Sequence, residues 1–222
     1  MSLGTIADGA LRLVVLLPML LLAVSAKEAG HALAAQWLGD DTAAKRGRAS
    51  LWPLSHFDWI GCGLLPALFL LSPLATLYGY GKPVPINPAK LRQPKIDFSL
   101  VALAGPAANL LLALSLALLA ALLFRGLQVD SPEAALLLAW ALSANLLLAC
   151  VNLLPLPGFA GLKALYVFLP EEWCWRLQSG DRIFIFAVVA AAFFHTLDLA
   201  LIPGLKMAGA LCHWAGLSLP PL

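Results

Sequence analysis

The sequence predicts an all-α polytopic membrane protein, and three observations support this fold class. Hydrophobic residues make up 61% of the 222 residues and charged residues only 12%, about half of the ~25% that soluble domains carry. The mean hydropathy is +0.88. Long apolar runs recur along the chain, and a helix needs roughly 20 such residues to cross a bilayer. Lipid is therefore expected to surround much of this protein.

The apolar runs predict five membrane-embedded helical segments that hold about half of the chain. They are expected at residues 13–37, 60–80, 98–124, 134–154 and 183–202. Helices are expected because backbone polar groups in lipid need internal hydrogen bonds. Gly105-Pro106 is predicted to interrupt the third segment. No internal repeat relates the segments, so nothing favours the repeat architecture of many secondary transporters.

The few charged residues are nearly balanced in sign, and their distribution predicts only the orientation of the chain in the membrane. Fourteen Lys and Arg residues oppose twelve Asp and Glu residues, for a net charge of +2, which gives no support for a nucleic-acid partner. With five spans, the side of the membrane that holds the N-terminus carries eight of the Lys and Arg residues and the other side five. The positive-inside tendency then predicts a cytoplasmic N-terminus.

Three ionisable residues lie inside the first predicted span, in Lys27-Glu28-Ala29-Gly30-His31. Such residues in a membrane helix usually face protein or a water-filled cavity. The spacing is that of HExxH, in which two histidines bind zinc and the glutamate activates a bound water. A charged lysine, however, has no lone pair to offer a metal. From this segment alone, a partly buried Lys27–Glu28 pair beside a hydrogen-bonded histidine is an equally good interpretation.

Five ordered strings carry a resemblance to a known family. They are KEAGHALAAQWLGDDTA, GRASLWPLSHFDWIG, GYGKPVPINPAKLRQPK, VALAGPAANLLLAL and NLLPLPGFAGLKAL. In these strings the sequence resembles the site-2 protease family of intramembrane zinc metalloproteases, particularly its compact bacterial branch. The resemblance covers residues 25–169, which are expected to form the family-like core. Residues 170–222 would add a last span and a C-terminal tail within one integral membrane domain, residues 1–222.

The resemblance implies a zinc site, and this sequence departs from it. The family's ligands are the two histidines of HExxH and an aspartate, which fall here on Lys27, His31 and Ala160. Glu28 falls on the catalytic glutamate. A catalytic zinc site needs about three protein ligands and an open position. Two of the three are substituted, so we expect no bound metal or other cofactor, no catalytic residue, and vestigial roles for Glu28 and His31.

Further polar residues are expected to complete a polar cleft. The whole predicted set comprises Lys27, Glu28, His31, His56, Asn109 and Asn152. Two alternatives stay open: His56 acting as a substitute ligand with His31 and Glu28, or a ligand pair or proton relay formed by His195 and Asp198. The resemblance also implies a short membrane-associated hairpin at residues 48–59. Four prolines in 81–94 favour an extended loop there.

The function predicted from these residues is that of a catalytically inactive site-2-protease-like protein, or pseudoprotease. It would bind or scaffold a membrane protein or transmembrane helix within the lipid bilayer, for instance as an accessory subunit of a membrane complex. The alternative is an active intramembrane zinc metalloendopeptidase with rearranged ligands, and a transporter is a third class. The resemblance to the bacterial branch implies an integral protein of the bacterial inner membrane.

Overall fold

In the computed structural model, the described residues are 3–67, 79–170, 172–174 and 198–218. They include six α-helices with described bounds and no β-strand. The helices are α1 (Leu3–Trp37), α2 (Thr42–Lys45), α3 (Pro94–Ala120), α4 (Pro132–Asn152), α5 (Ala160–Ala164) and α6 (Asp198–Ala215). Short 3-10 or π-helical turns lie at Pro53–Ser55, Trp59–Leu64, Pro88–Lys90, Ala121–Gly126 and Leu165–Phe168.

Within the described residues, three helices are long and apolar enough to cross a membrane. They are Val14–Trp37 of α1, Pro94–Gly126, which is α3 with the π-helical turn that continues it, and Pro132–Asn152 of α4. These helices confirm the first, third and fourth predicted spans. Residues 68–78 of the second and 183–197 of the fifth lie outside the described residues, so those two spans stay predictions.

The predicted interruption at Gly105-Pro106 is wrong, because α3 runs unbroken from Pro94 to Ala120. Proline lacks an amide N–H, so within the helix the carbonyl of Ala102 loses its usual partner. One missing bond is tolerated in a membrane helix because neighbouring groups support the backbone. The proline therefore frees one carbonyl oxygen and does not end the helix.

Close contact between α1 and α3 depends on two glycines. A Cβ atom at Gly30 would lie 2.7 Å from both the carbonyl oxygen of Ala104 and the Cβ of Ala108. A Cβ atom at Gly105 would lie 2.4 Å from the imidazole of His31. Small residues let membrane helices approach closely. The contact brings the ionisable residues of α1 against the backbone of α3.

A second contact, which we call the alanine seam, joins α3, α4 and α6. Its small side chains are almost fully buried: Ala113, Ala117, Ala120, Ala139, Ala208 and Ala215. Leu142 and Leu146 of α4 fill the space beside them. The seam buries no ionised group and fixes the C-terminal half of α3.

The segment between α2 and residue 58 does not confirm the predicted hairpin. It is described throughout, and it forms bends around the turn at Pro53–Ser55 with no strand pairing. Residues 79–87 form no helix or strand, and a 3-10 turn follows at Pro88–Lys90. Asp40, after α1, anchors this loop by accepting a hydrogen bond of 2.6 Å from the Asn87 amide.

Candidate functional site

Lys27 and Glu28 of α1 form a buried ion pair. The distance between Lys27 Nζ and Glu28 Oε1 is 3.1 Å, and the two residues are 7% and 4% exposed. The second carboxylate oxygen, Oε2, accepts a hydrogen bond of 3.2 Å from the amide of Val84. Both oxygens of Glu28 therefore have partners, and one of these is a cation.

His31 is fixed by the backbone of α3. Its Nδ1 lies 2.8 Å from the carbonyl oxygen of Val101. A carbonyl only accepts hydrogen bonds, so Nδ1 carries the proton and Nε2 is the nitrogen left for other partners. The ring packs on Gly105, where any larger residue would collide with it.

These three side chains line one cavity of about 330 Å³ between α1, α3 and the loops that follow α4 and precede α3. A cavity of this size is at the lower end of the range for ligand pockets. Its other polar side chains include Asn152 at the end of α4 and Lys163 on α5. Its walls also include Ala160, which is 5% exposed, and Ala102, whose carbonyl Pro106 leaves without its helical partner.

The two asparagines of the predicted cleft have different positions. Asn152 lines the cavity and donates a hydrogen bond of 2.7 Å from Nδ2 to the carbonyl of Leu148, which leaves its Oδ1 for another partner. Asn109 is fully buried on α3 and does not line the cavity. Neither polar atom of the Asn109 amide has a partner among the described residues.

His56 is fully buried and lies outside the cavity wall. Its Nε2 donates to the carbonyl of Ser50 over 2.8 Å, and its Nδ1 faces Nη2 of Arg48 at 3.5 Å. Burial is the main cause that lowers the pKa of this imidazole, and the Arg48 cation adds to it. Both ring nitrogens have partners, so His56 has no nitrogen available as a metal ligand in this arrangement.

The donor set of the cavity does not fit a catalytic zinc ion. Among the described residues, no three His, Cys, Asp or Glu side chains are grouped so that they could hold a metal. Ala160 offers no donor, and the Lys27 ammonium has no lone pair. Of the other predicted pair, His195 lies outside the described residues, and so does the side chain of Asp198.

Sequence reasoning missed several groups that define this site. The amide of Val84 and the carbonyl of Val101 bond Glu28 and His31 across 56 and 70 residues. Backbone groups leave no signature in residue type, so no pattern could have found them. Lys163 had a signal, because it follows Ala160 by three residues and therefore lies on the same face of α5.

Comparison with known proteins found a similar bacterial protein. The chain is 32% identical over 155 residues to "Putative zinc metalloprotease YwhC" of Bacillus subtilis (strain 168), a match that covers 68% of this chain and 67% of that protein. No family model matches the chain, and no solved structure matches it.

The helices and the buried polar cavity define a helical membrane protein built around a HExxH-like segment. With the similarity to the Bacillus protein, they show that the chain belongs to the site-2 protease family.

Proposed function

We propose that this protein is a non-catalytic member of the site-2 protease family that binds a membrane protein segment in its cavity. The observation that carries the proposal is the ion pair between Lys27 and Glu28 in the cavity wall. Lys27 occupies the position of the family's first histidine ligand. The proposal depends on the chemistry of the donor set.

Electrostatics explains why the substitutions belong together. A buried carboxylate without a nearby cation is costly. If the family's metal ion were lost, Glu28 would become such a carboxylate, and the Lys27 ammonium at 3.1 Å supplies the missing positive charge. Alanine at position 160 avoids a second buried carboxylate that would have lacked a cation. The Lys27 ammonium thus replaces the positive charge of the metal ion, but it does not act as a Lewis acid.

The cavity offers polar partners to a segment that has lost its helical hydrogen bonds. An ammonium group has three donors, and among the described residues only Glu28 is bonded to that of Lys27. Asn152 lies in the same wall, and its Oδ1 is an acceptor. An unwound stretch of a partner helix exposes backbone carbonyls and amides. The ammonium of Lys27 can donate to such carbonyls, and the acceptor in the cavity can bind such amides. Binding of this kind suits a scaffold or an accessory subunit.

Metal content tests the proposal. Protein purified in mild detergent without added metal should contain no stoichiometric zinc. The variant that carries both Lys27→His and Ala160→Asp should bind about one zinc ion, because it restores three ligands, whereas each single variant should not. Stoichiometric zinc in the unaltered protein would contradict the proposal. A folded double variant without zinc would show that the cavity has diverged beyond loss of its ligands.

A second candidate is an active metalloendopeptidase with rearranged ligands. It is favoured by Glu28 and His31 lining one cavity and by the name of the Bacillus relative. Cleavage of a co-expressed membrane substrate that requires both zinc and Glu28 would establish it. The comparison is with Glu28→Gln, after circular dichroism has shown that this variant folds.

The partner and the membrane are part of the same proposal. We infer a bacterial inner membrane with the N-terminus in the cytoplasm, from the family and from the distribution of Lys and Arg residues. The partner would be a membrane protein or transmembrane helix. Purification in mild detergent followed by identification of co-eluting membrane proteins tests this inference. Its control is the variant that combines Lys27→Met with Glu28→Gln, which removes the charges of the ion pair and is expected to keep the stability of the protein.

A further inference from the structure

His56 is a buried titratable group that the proposed binding function does not use. Its ring is fully buried, and each nitrogen has one partner. Nε2 donates to the carbonyl of Ser50, while Nδ1 accepts from the guanidinium of Arg48 at 3.5 Å. This arrangement requires an imidazole with a single proton, because Nδ1 must keep its lone pair to face a donor.

Residues 81–84, which we call the strap, are held by this pair and also form part of the cavity wall. The amide of Lys82 donates to the carbonyl of His56 over 2.8 Å, and the carbonyl of Lys82 accepts from Arg48. Gly81, Pro83 and Val84 line the cavity. The amide of Val84 bonds Glu28 on α1. The strap therefore connects the His56–Arg48 pair to the ionised groups inside the cavity.

A second proton on His56 would disrupt this connection. It would lie on Nδ1, where it would remove the acceptor and place two cations about 3.5 Å apart. The other charged groups that act on His56 are Glu28 and Lys27 of α1. Glu28 favours the second proton, whereas Lys27 opposes it as Arg48 does. The guanidinium of Arg48 lies against the ring, and its repulsion is relieved if Arg48 leaves the carbonyl of Lys82.

We propose that protonation of His56 releases the strap and opens the cavity, so that acidity controls access to it. The inference rests on the proposed function only in that the space exposed is the binding cavity. The strap forms no helix or strand and is held by its hydrogen bonds to His56, Arg48 and Glu28. Its opening therefore also breaks the bond from Val84 to Glu28 of α1.

The direction of the pH effect follows from burial. Burial lowers the pKa of His56 below its ordinary value of 6.5 in the closed arrangement, and release to solvent restores that value. The closed form is then fully favoured above about pH 6.5 and loses stability as the pH falls below it. The loss continues until the pH reaches the lowered pKa of the closed form. Acid therefore opens the strap, and neutral pH closes it.

Hydrogen–deuterium exchange of the full chain in lipid nanodiscs tests this proposal. Exchange of the peptide that contains the strap is followed from pH 7.5 to 5.5 and corrected for the intrinsic pH dependence of amide exchange. Pro83 has no amide, so the signal reports on Gly81, Lys82 and Val84. Protection should fall by up to about tenfold at pH 5.5, the limit for an opened histidine that titrates near 6.5. Unchanged protection would overturn the proposal.

Two variants test whether His56 and Arg48 cause the pH dependence of strap protection. In His56→Gln, the amide can donate to Ser50 and accept from Arg48 but cannot be protonated, so strap protection should no longer depend on pH. In Arg48→Gln the opposing charge is gone, and the pH dependence should become weaker. This second variant keeps the test decisive if the first does not fold. His213→Gln, at an exposed position near the C-terminus, is the control and should behave like the unaltered protein.

A pH dependence that persists in His56→Gln would show that another group controls the strap, and the inference would be wrong. Exchange is measured without partner or metal. A failure of this inference is therefore distinguishable from a failure of the proposed function, which zinc content decides.

Discussion

The two halves of α3 are held in different ways. Near its N-terminus, Val101 and Gly105 contact His31 through one hydrogen bond and one close approach. Nearer its C-terminus, the alanine seam spreads the contact over many small apolar side chains. Few directional contacts make the cavity end sensitive to each side chain, whereas a distributed seam tolerates small changes. The N-terminal half of α3 therefore contacts the ionisable residues of α1, whereas its C-terminal half is held by apolar packing.

The largest effect should come from removing the cation of the cavity. Lys27→Ala leaves the Glu28 carboxylate buried without its partner, which should lower the free energy of unfolding by about 3–5 kcal/mol. The measurement is an unfolding titration in mixed detergent. As a control, Lys27→Met combined with Glu28→Gln removes both charges and should be close to the unaltered protein. Equal losses in the two variants would show that the ion pair is not the cause.

A smaller effect is expected where the cavity end meets the glycine of α3. Gly105→Ala would place a Cβ atom 2.4 Å from the His31 ring, so the ring must move and its bond to Val101 must break. Overpacking of this kind costs about 1–3 kcal/mol.

Unfolding titrations measure the cost of Gly105→Ala, and the ¹⁵N resonances of His31 report its displacement. Gly63→Ala is the matched control, since the nearest atom to its new Cβ, on Trp59, is 4.0 Å away. A variant at position 105 that leaves the His31 resonances unchanged would contradict the close approach.

The smallest effect should be in the alanine seam. Ala117→Ser adds a hydroxyl that can donate to the carbonyl four residues before it, as Ser115 already does to Leu111 over 2.8 Å. Such back-bonding destabilises helices only slightly, so the loss should stay under about 1 kcal/mol in the same titration. A loss as large as that of Gly105→Ala would mean that the seam is no more tolerant than the cavity end.

Sequence patterns predicted which ionised groups form the site, but they did not predict the geometry of the site. Apolar runs predicted the helices that carry Lys27 and Asn152, because crossing a bilayer leaves a long and simple signal. The spacing of Lys27, Glu28 and His31 also placed these residues together. The contacts from Val84 and Val101 could not be predicted, since both come from backbone atoms distant in the chain.

The continuity of α3 was mispredicted for a related reason. Gly105-Pro106 is a helix-breaking pair in water, but its effect here depends on the neighbouring α1, which packs against that backbone. The location of Asn109, buried outside the cavity, likewise follows from how the helices rotate against one another. Rotation is set by tertiary packing, which residue types along a single chain do not encode directly.

The length of the central helix has a consequence for the membrane itself. Pro94–Gly126 contains 33 residues, and its apolar stretch, residues 98–124, extends about 40 Å at 1.5 Å per residue, whereas the hydrocarbon core of a bilayer is about 30 Å thick. Such a mismatch is accommodated by tilt or by local thickening of the lipid. Bilayer thickness therefore influences the tilt of α3, the helix that forms one wall of the cavity. Lipid composition is then expected to affect the shape of the site.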